Sequence, residues 1–182
     1  RVIGVQAEGA SSAAPSLEKG ERVSIDEVDT IADGIATRSI GEQTFPHIQE
    51  YVDEIVTVTD SEISVALVYL LERSKTLVEG AGAVPLAAVL FEKFDYDEDE
   101  VIVPALCGGN IDLNTLTNVI VRGLVETGRY LKIRTVLKDR PGALEDLLDI
   151  FTAHRANIYA IHHDRTSREV EMSDTEVEIE LE

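Results

Sequence analysis

Three short apolar runs, Val2-Ile3-Gly4-Val5, Glu54 to Val58 and Val101 to Leu106, punctuate a chain whose intervening stretches carry helical periodicity. Runs this short, rich in valine and isoleucine and separated by helix-length segments, read as buried strands of a layered α/β sheet with parallel pairing. That spacing constrains the fold more than any other feature. Arg1 to Val5 opens the first strand, and Glu8 to Ala14, rich in small residues, can start a helix. Glu18 to Asp29 is polar and irregular, and Thr30-Ile31-Ala32-Asp33-Gly34 is a tight polar turn. Glu42 to Val52 is predicted helical, with Phe45, Ile48 and Val52 on one side and Pro46 in its first turn, where a missing N–H costs little.

Thr59-Asp60-Ser61-Glu62 has the spacing of a capping box. The helix it starts carries Ile63, Ala66, Leu67, Leu70, Leu71 and Ser74 and is expected to end near Glu79-Gly80-Ala81-Gly82-Ala83. A further helix is expected over Pro85 to Phe94, a strand over Val101 to Leu106, and a helix over Asp112 to Val125. The first 122 residues thus read as part of an α/β domain, with 123–128 as a linker. Residues 129–182 read strand (Leu131 to Leu137), turn, helix (Ala143 to His154), strand (Asn157 to His163), strand (Thr175 to Leu181). Asp139 is placed to cap that helix, with Pro141 in its first turn. This β-α-β-β order is the front of the ferredoxin-like β-α-β-β-α-β motif. Charge shifts at the same boundary: 129–182 hold 8 basic and 12 acidic residues, leaving a net of −15 for the rest of a chain whose total is −19.

That acidity repels phosphate backbones and argues against a nucleic-acid partner. Spread over the sequence, it reads as a solvated coat suited to a salt-rich cytosol, or as ordinary acidity. A single cysteine rules out an internal disulfide, and no apolar run approaches a membrane span. With no signal peptide before Arg1, a cytoplasmic protein is the default expectation. Apolar sequence begins at Val2, and the alternating pattern Glu176 to Glu182 runs to the last residue, so both ends read as cut through structure.

Leu106-Cys107-Gly108-Gly109-Asn110-Ile111-Asp112 is the strongest site signal. A strand that enters a glycine turn and then a helix start is the usual seat of a cofactor in an open α/β sheet. Glycines let the backbone approach a ligand, while Cys107 and Asn110 put polar atoms at the mouth. The same residues also suit a plain tight turn beside a small buried thiol. Glu79 and Asp33, each beside glycines, can bind a cation or an amino group, or simply meet solvent. His47, His154, His162 and His163 lack metal-ligand spacing, and His162 and His163 face opposite sides of a strand. Lys75, Lys93 and Lys138 do not follow a strand in a cofactor-like loop.

Four motifs occur in the order found in threonine dehydratases: Val5-Gln6-Ala7-Glu8, Thr30 to Gly34, Val78-Glu79-Gly80-Ala81-Gly82-Ala83 and Leu106 to Asp112. Residues 1 to about 122 therefore resemble that family of fold-type II pyridoxal-phosphate enzymes, which also includes serine dehydratase and serine racemase. The resemblance implies pyridoxal 5'-phosphate as cofactor, with its Schiff-base lysine and glycine-rich phosphate loop in an N-terminal half that this chain does not contain. It implies that Cys107 hydrogen-bonds the pyridine nitrogen, that Gly34 lies near the ring hydroxyl, and that Glu79 lines the pocket with Gly108 and Asn110. The implied reaction is β-elimination of L-threonine to 2-oxobutanoate and ammonia, with L-serine as the competing substrate and isoleucine biosynthesis as the setting. Relatives that bind a divalent cation use a glutamate, a carbonyl and an aspartate. Glu8 and the Ser12 carbonyl match, but Ala14 replaces the aspartate, which weakens a hard-cation shell.

Residues 129–182 resemble a truncated ACT domain, a regulatory module fused to many amino-acid enzymes, through Asp139-Arg140-Pro141-Gly142-Ala143-Leu144 and Asn157-Ile158. That resemblance implies an effector site at Asp139, Gly142, Ala143, Asn157 and Ile158, with isoleucine or valine as branched-chain candidates. It also implies a homo-oligomer for the complete enzyme. The alternatives are a non-catalytic amino-acid-binding regulator and a serine dehydratase or racemase relative.

Overall fold

β1 (Ile3–Ala7) and β2 (Glu54–Val58) pair in parallel, Ile3 opposite Glu54 through Ala7 opposite Val58. Parallel neighbours need a long crossover. Residues 8–53 supply it, with α1 (Ala13–Lys19) and α2 (Phe45–Tyr51) inside it. Where one helix was expected to start at Glu8, the chain makes a 3-10 turn, Glu8–Ala10, before α1. The computed structural model describes all 182 residues, in two units, Arg1–Glu126 and Thr127–Glu182.

α3 (Asp60–Tyr69) begins two residues past β2 and is capped as its sequence predicts. The Thr59 hydroxyl accepts from the Glu62 N–H at 3.2 Å, and the Glu62 carboxylate accepts from the Thr59 N–H at 2.8 Å. It runs on as a π-helical segment, Leu70–Ser74, and stops at Lys75 in the left-handed region, short of the Glu79 boundary expected. α4 spans Gly80–Leu90 rather than Pro85 to Phe94, with Pro85 inside it. Glycines 80 and 82 are not helix breakers here. A Cβ on Gly80 would lie 2.6 Å from the Ile31 carbonyl oxygen, and one on Gly82 2.3 Å from that of Cys107, so both are needed for close approach.

Val101 to Leu106, expected as a strand, joins no sheet. A strand exists only through ladder hydrogen bonds, and a cavity of about 600 Å³ lies between this stretch and β1. Val101 and Val103 are accordingly 89% and 82% exposed. α5 (Leu113–Glu126) continues through residues 123–126, the first part of the expected linker. The core of this unit joins Val58 of β2 to Ile63, Ala66 and Leu67 of α3, Ala83, Val84, Ala87 and Ala88 of α4, and Val119 of α5.

In the second unit β3 (Leu131–Lys138), β4 (Ile158–Asp164) and β5 (Asp174–Leu181) form an antiparallel sheet in the order β3-β5-β4. Together with α6 (Ala143–Ala153) this is the expected β-α-β-β arrangement. Val177, Ile179 and Leu181 of β5 are buried with Phe151 of α6. Glu176, Glu178 and Glu180 alternate with them. Lys132 reaches Glu178 at 2.6 Å and Glu180 at 3.3 Å, and Arg134 pairs with Glu176.

Tyr130 donates to Glu180 at 2.6 Å, which pushes its phenol from about 10 up to about 12 and holds the Glu180 carboxyl below its usual range. A raised folded pKa stabilises below the unfolded value and is lost as pH rises through the folded one. Stability from this phenol is therefore complete below pH 10 and fades towards 12. Unfolding midpoints followed through that window should fall more steeply for the wild type than for Tyr130→Phe. Identical slopes would refute the assignment.

Candidate functional site

Glu79 stands immediately before α4, half-buried and in extended conformation. A helix start favours negative charge. The carboxylate accepts from the Asn110 backbone N–H at 2.9 Å, and the Glu79 N–H donates to the Gly108 carbonyl at 3.4 Å. Gly108 has φ +87°, and a Cβ there would fall 2.3 Å from Glu79 Oε1; a Cβ on Gly34 would fall 2.9 Å from the same oxygen. The fold thus gathers Gly34, Glu79, Gly108 and Asn110, distant in sequence, around one carboxylate, with bare backbone on two sides. The Cys107 thiol is exposed and joins the group through its backbone, which packs on Gly82.

Beside them lies an open cavity of about 270 Å³ lined by Thr30, Ile31, Asp33, Glu79, Asn110 and Thr115, among others. Asp33 opens the 3-10 turn Asp33–Ile35 on its rim. Two aspartates that sequence reasoning left unassigned shape this region. Asp112 accepts from the N–H groups of Asn114 and Thr115, at 2.9 and 3.0 Å, and so caps α5. Hydrogen bonds from Thr115 foremost, and from Asn114, hold its carboxyl below the usual range. An aspartate just before an apolar helical pattern is a recognisable cap signal. Asp60 accepts from the Thr30 hydroxyl at 2.6 Å and the Ile31 N–H at 3.1 Å. No local pattern announces a pair thirty residues apart.

Around Glu8, the carbonyl of Ser12 accepts from the Ser16 hydroxyl at 2.6 Å. Gln6 bridges the same turn, donating to the Ala10 carbonyl and accepting from the Ala13 N–H. The Ser12 hydroxyl is buried without a partner, and Ala14 adds no donor. The lysines point elsewhere: Lys93 pairs with Glu62 and Lys138 with Asp174, each at 2.6 Å, and Lys75 closes the π-helical segment.

In the second unit Asp139 does not cap α6. Gly142, at φ +89°, holds the N-cap position and the helix starts at Ala143, leaving Pro141 outside it, while one oxygen of the Asp139 carboxylate accepts from Arg165 at 2.7 and 3.0 Å. Ala143 is buried. Asn157 exchanges backbone hydrogen bonds with Glu182 and donates its amide to that side chain at 2.8 Å, and Ile158 begins β4. His162 and His163 stand opposite Glu178 and Val177 in the register, both exposed.

The model of the family described as pyridoxal-phosphate dependent enzymes matches residues 1–108. The chain belongs to this family. Among curated proteins, an L-threonine ammonia-lyase of Geobacter sulfurreducens is 50% identical over 182 residues, which is all of this chain and 45% of that protein. An L-threonine ammonia-lyase of Thermotoga maritima is 43% identical with the same coverage. The processed threonine deaminase isoform 2 from Solanum lycopersicum superposes with a TM-score of 0.59 at 36% identity, over 65% of this chain and 35% of that one. This pyridoxal-phosphate family member thus spans less than half the length of the curated relatives it matches. The group around Glu79 is polar and close-packed: its carboxylate, held by the Asn110 N–H, lies against the Gly34 and Gly108 backbones, with the exposed Cys107 next to Gly108. No helix is long and apolar enough to cross a membrane.

Proposed function

We propose that this chain is part of a threonine ammonia-lyase that deaminates L-threonine to 2-oxobutanoate and ammonia. The observation that carries this reading is the closure of Gly34, Glu79, Gly108 and Asn110 around one carboxylate, in a chain half identical to a protein named L-threonine ammonia-lyase. Bound pyridoxal phosphate supplies the electron sink for loss of the Cα proton and the β-hydroxyl. The Cys107 thiol offers the ring nitrogen a neutral, weak hydrogen-bond partner. Gly34 presents bare backbone to the ring hydroxyl. Asn110 holds the Glu79 carboxylate at the pocket edge and keeps it from swinging across the ring position.

No lysine lines the cavity, so the Schiff-base lysine and phosphate loop belong to the part of the longer protein outside these residues, and this chain alone is inactive. On this reading the unit Arg1–Glu126 is the catalytic part, and residues 129–182 are an ACT module taking a branched-chain amino acid near Asp139, Gly142, Ala143, Asn157 and Ile158. The complete enzyme is a cytoplasmic homo-oligomer, and its acidic coat suits high salt. Ala14 and the engaged Ser12 carbonyl speak against a cation at Glu8.

Full-length protein assayed with pyridoxal phosphate should release 2-oxobutanoate from L-threonine faster than pyruvate from L-serine. A serine preference would move the reading to the serine dehydratases. Cofactor-independent isoleucine binding with no turnover would leave a regulator.

A further inference from the structure

Asp60 lies outside the cavity, on α3, and nothing so far gives it a part in cofactor binding. Its half-buried carboxylate nonetheless hydrogen-bonds the first two residues of the Thr30–Gly34 turn. One oxygen accepts the Thr30 hydroxyl at 2.6 Å and the other the Ile31 N–H at 3.1 Å, while Thr30 Oγ1 accepts in turn from the Ala32 N–H at 3.2 Å. Thr30 and Ile31 line the cavity, and the Ile31 carbonyl sits against Gly80 so closely that a Cβ there would fall 2.6 Å away. The same turn delivers Gly34 to Glu79 Oε1. A chain of contacts therefore runs from Asp60 through Thr30 and Ile31 to the wall formed by Gly34, Glu79 and Gly80.

We infer that Asp60 is a positioning residue for the cofactor, setting the distance between the Thr30–Gly34 wall and the Glu79 wall. The inference rests on reading this cavity as the pyridoxal-phosphate site. A carboxylate suits the task because each oxygen can accept a separate hydrogen bond. An asparagine puts an NH2 donor in place of one carboxylate oxygen, so the Thr30 hydroxyl must turn from donor to acceptor or give up its partner, and the charge-assisted bond is lost either way. The hydrogen bonds of the Thr59–Glu62 cap at the same helix start run between those two residues and not to the turn. Helix stability and wall position can thus be separated by substitution.

The test uses full-length protein stripped of cofactor, with pyridoxal phosphate titrated back by its fluorescence and the apoprotein's Tm recorded alongside. Asp60→Asn and Thr30→Val should each raise the dissociation constant about tenfold, and the double variant should be no weaker than about either alone, because the two groups form one interaction. Thr30→Ser keeps the hydroxyl and should recover most of the affinity lost in Thr30→Val. Thr59→Ala should lower Tm while leaving affinity within about twofold. Affinity that follows Tm across all variants, Thr59→Ala included, would reduce Asp60 to a helix stabiliser. Additive losses, about a hundredfold in the double variant, would break the proposed link through Thr30. Should Asp60→Asn not fold, Thr30→Val against Thr30→Ser decides the same point. A wild-type protein that takes up no pyridoxal phosphate would overturn the cofactor reading itself, whereas wild-type binding with unaffected variants would overturn only the role of Asp60.

Discussion

Gly108→Ala should weaken pyridoxal-phosphate binding by the full-length protein more than tenfold, while the same change one residue on should not. The added Cβ would meet Glu79 Oε1 at 2.3 Å and Cδ at 2.6 Å, and the backbone sits at φ +87°, where alanine is strained. Strain of this kind costs about 1–3 kcal/mol. Relief requires Glu79 to leave the Asn110 N–H or the loop to shift, and either change disperses the group around the carboxylate. At Gly109 a Cβ would find nothing nearer than the Leu77 carbonyl at 3.8 Å. Cofactor titration of the two variants measures the difference. Equal affinities would show that the Glu79 cluster does not shape the cofactor surface.

The second large effect is on stability. Leu67→Ala should destabilise the folded protein by about 3 kcal/mol, within the range of about 2–5 kcal/mol seen for buried leucines. Leu67 is fully buried, and much of its surroundings is small: Ala66, Ala83, Ala87 and Ala88 have no longer side chain with which to fill the gap. Leu77, 47% exposed, provides the contrast, and Leu77→Ala should fall within about 0.5 kcal/mol of the wild type. Urea unfolding of both variants is the measurement. Comparable losses would mean that α3 does not organise the core.

Much of this architecture was legible where local chemistry and tertiary packing agree. β2 has the predicted bounds, the Thr59–Glu62 cap forms with both hydrogen bonds, and β5 buries every second residue as its alternation demands. Expectation and structure part where packing overrides propensity. Gly80 and Gly82 looked like a helix end and Pro85 like a beginning, yet α4 starts at Gly80 because only glycine lets its first turn touch the Ile31 and Cys107 backbones. Val101 to Leu106 has strand composition but no ladder partner. Asp139 reads as a cap, but its carboxylate accepts from Arg165 on a distant loop. The same limit applies at the candidate site. Its glycines and Glu79 were visible as motifs, whereas Asp60 became visible only once α3 lay against the Thr30 turn.

The alternation of β5 also guards against misfolding. A one-residue slip in its pairing would turn Glu176, Glu178 and Glu180 under α6 and push Val177, Ile179 and Leu181 out to solvent. The same slip would take Lys132 and Arg134 away from their glutamate partners and set them against apolar side chains. Misregistered pairings are thus penalised twice, once by buried charge and once by lost ion pairs. A strand written this way is also a poor template for amyloid, since stacking copies in register would pile like charges on one another. The central strand of the second unit proofreads its own assembly.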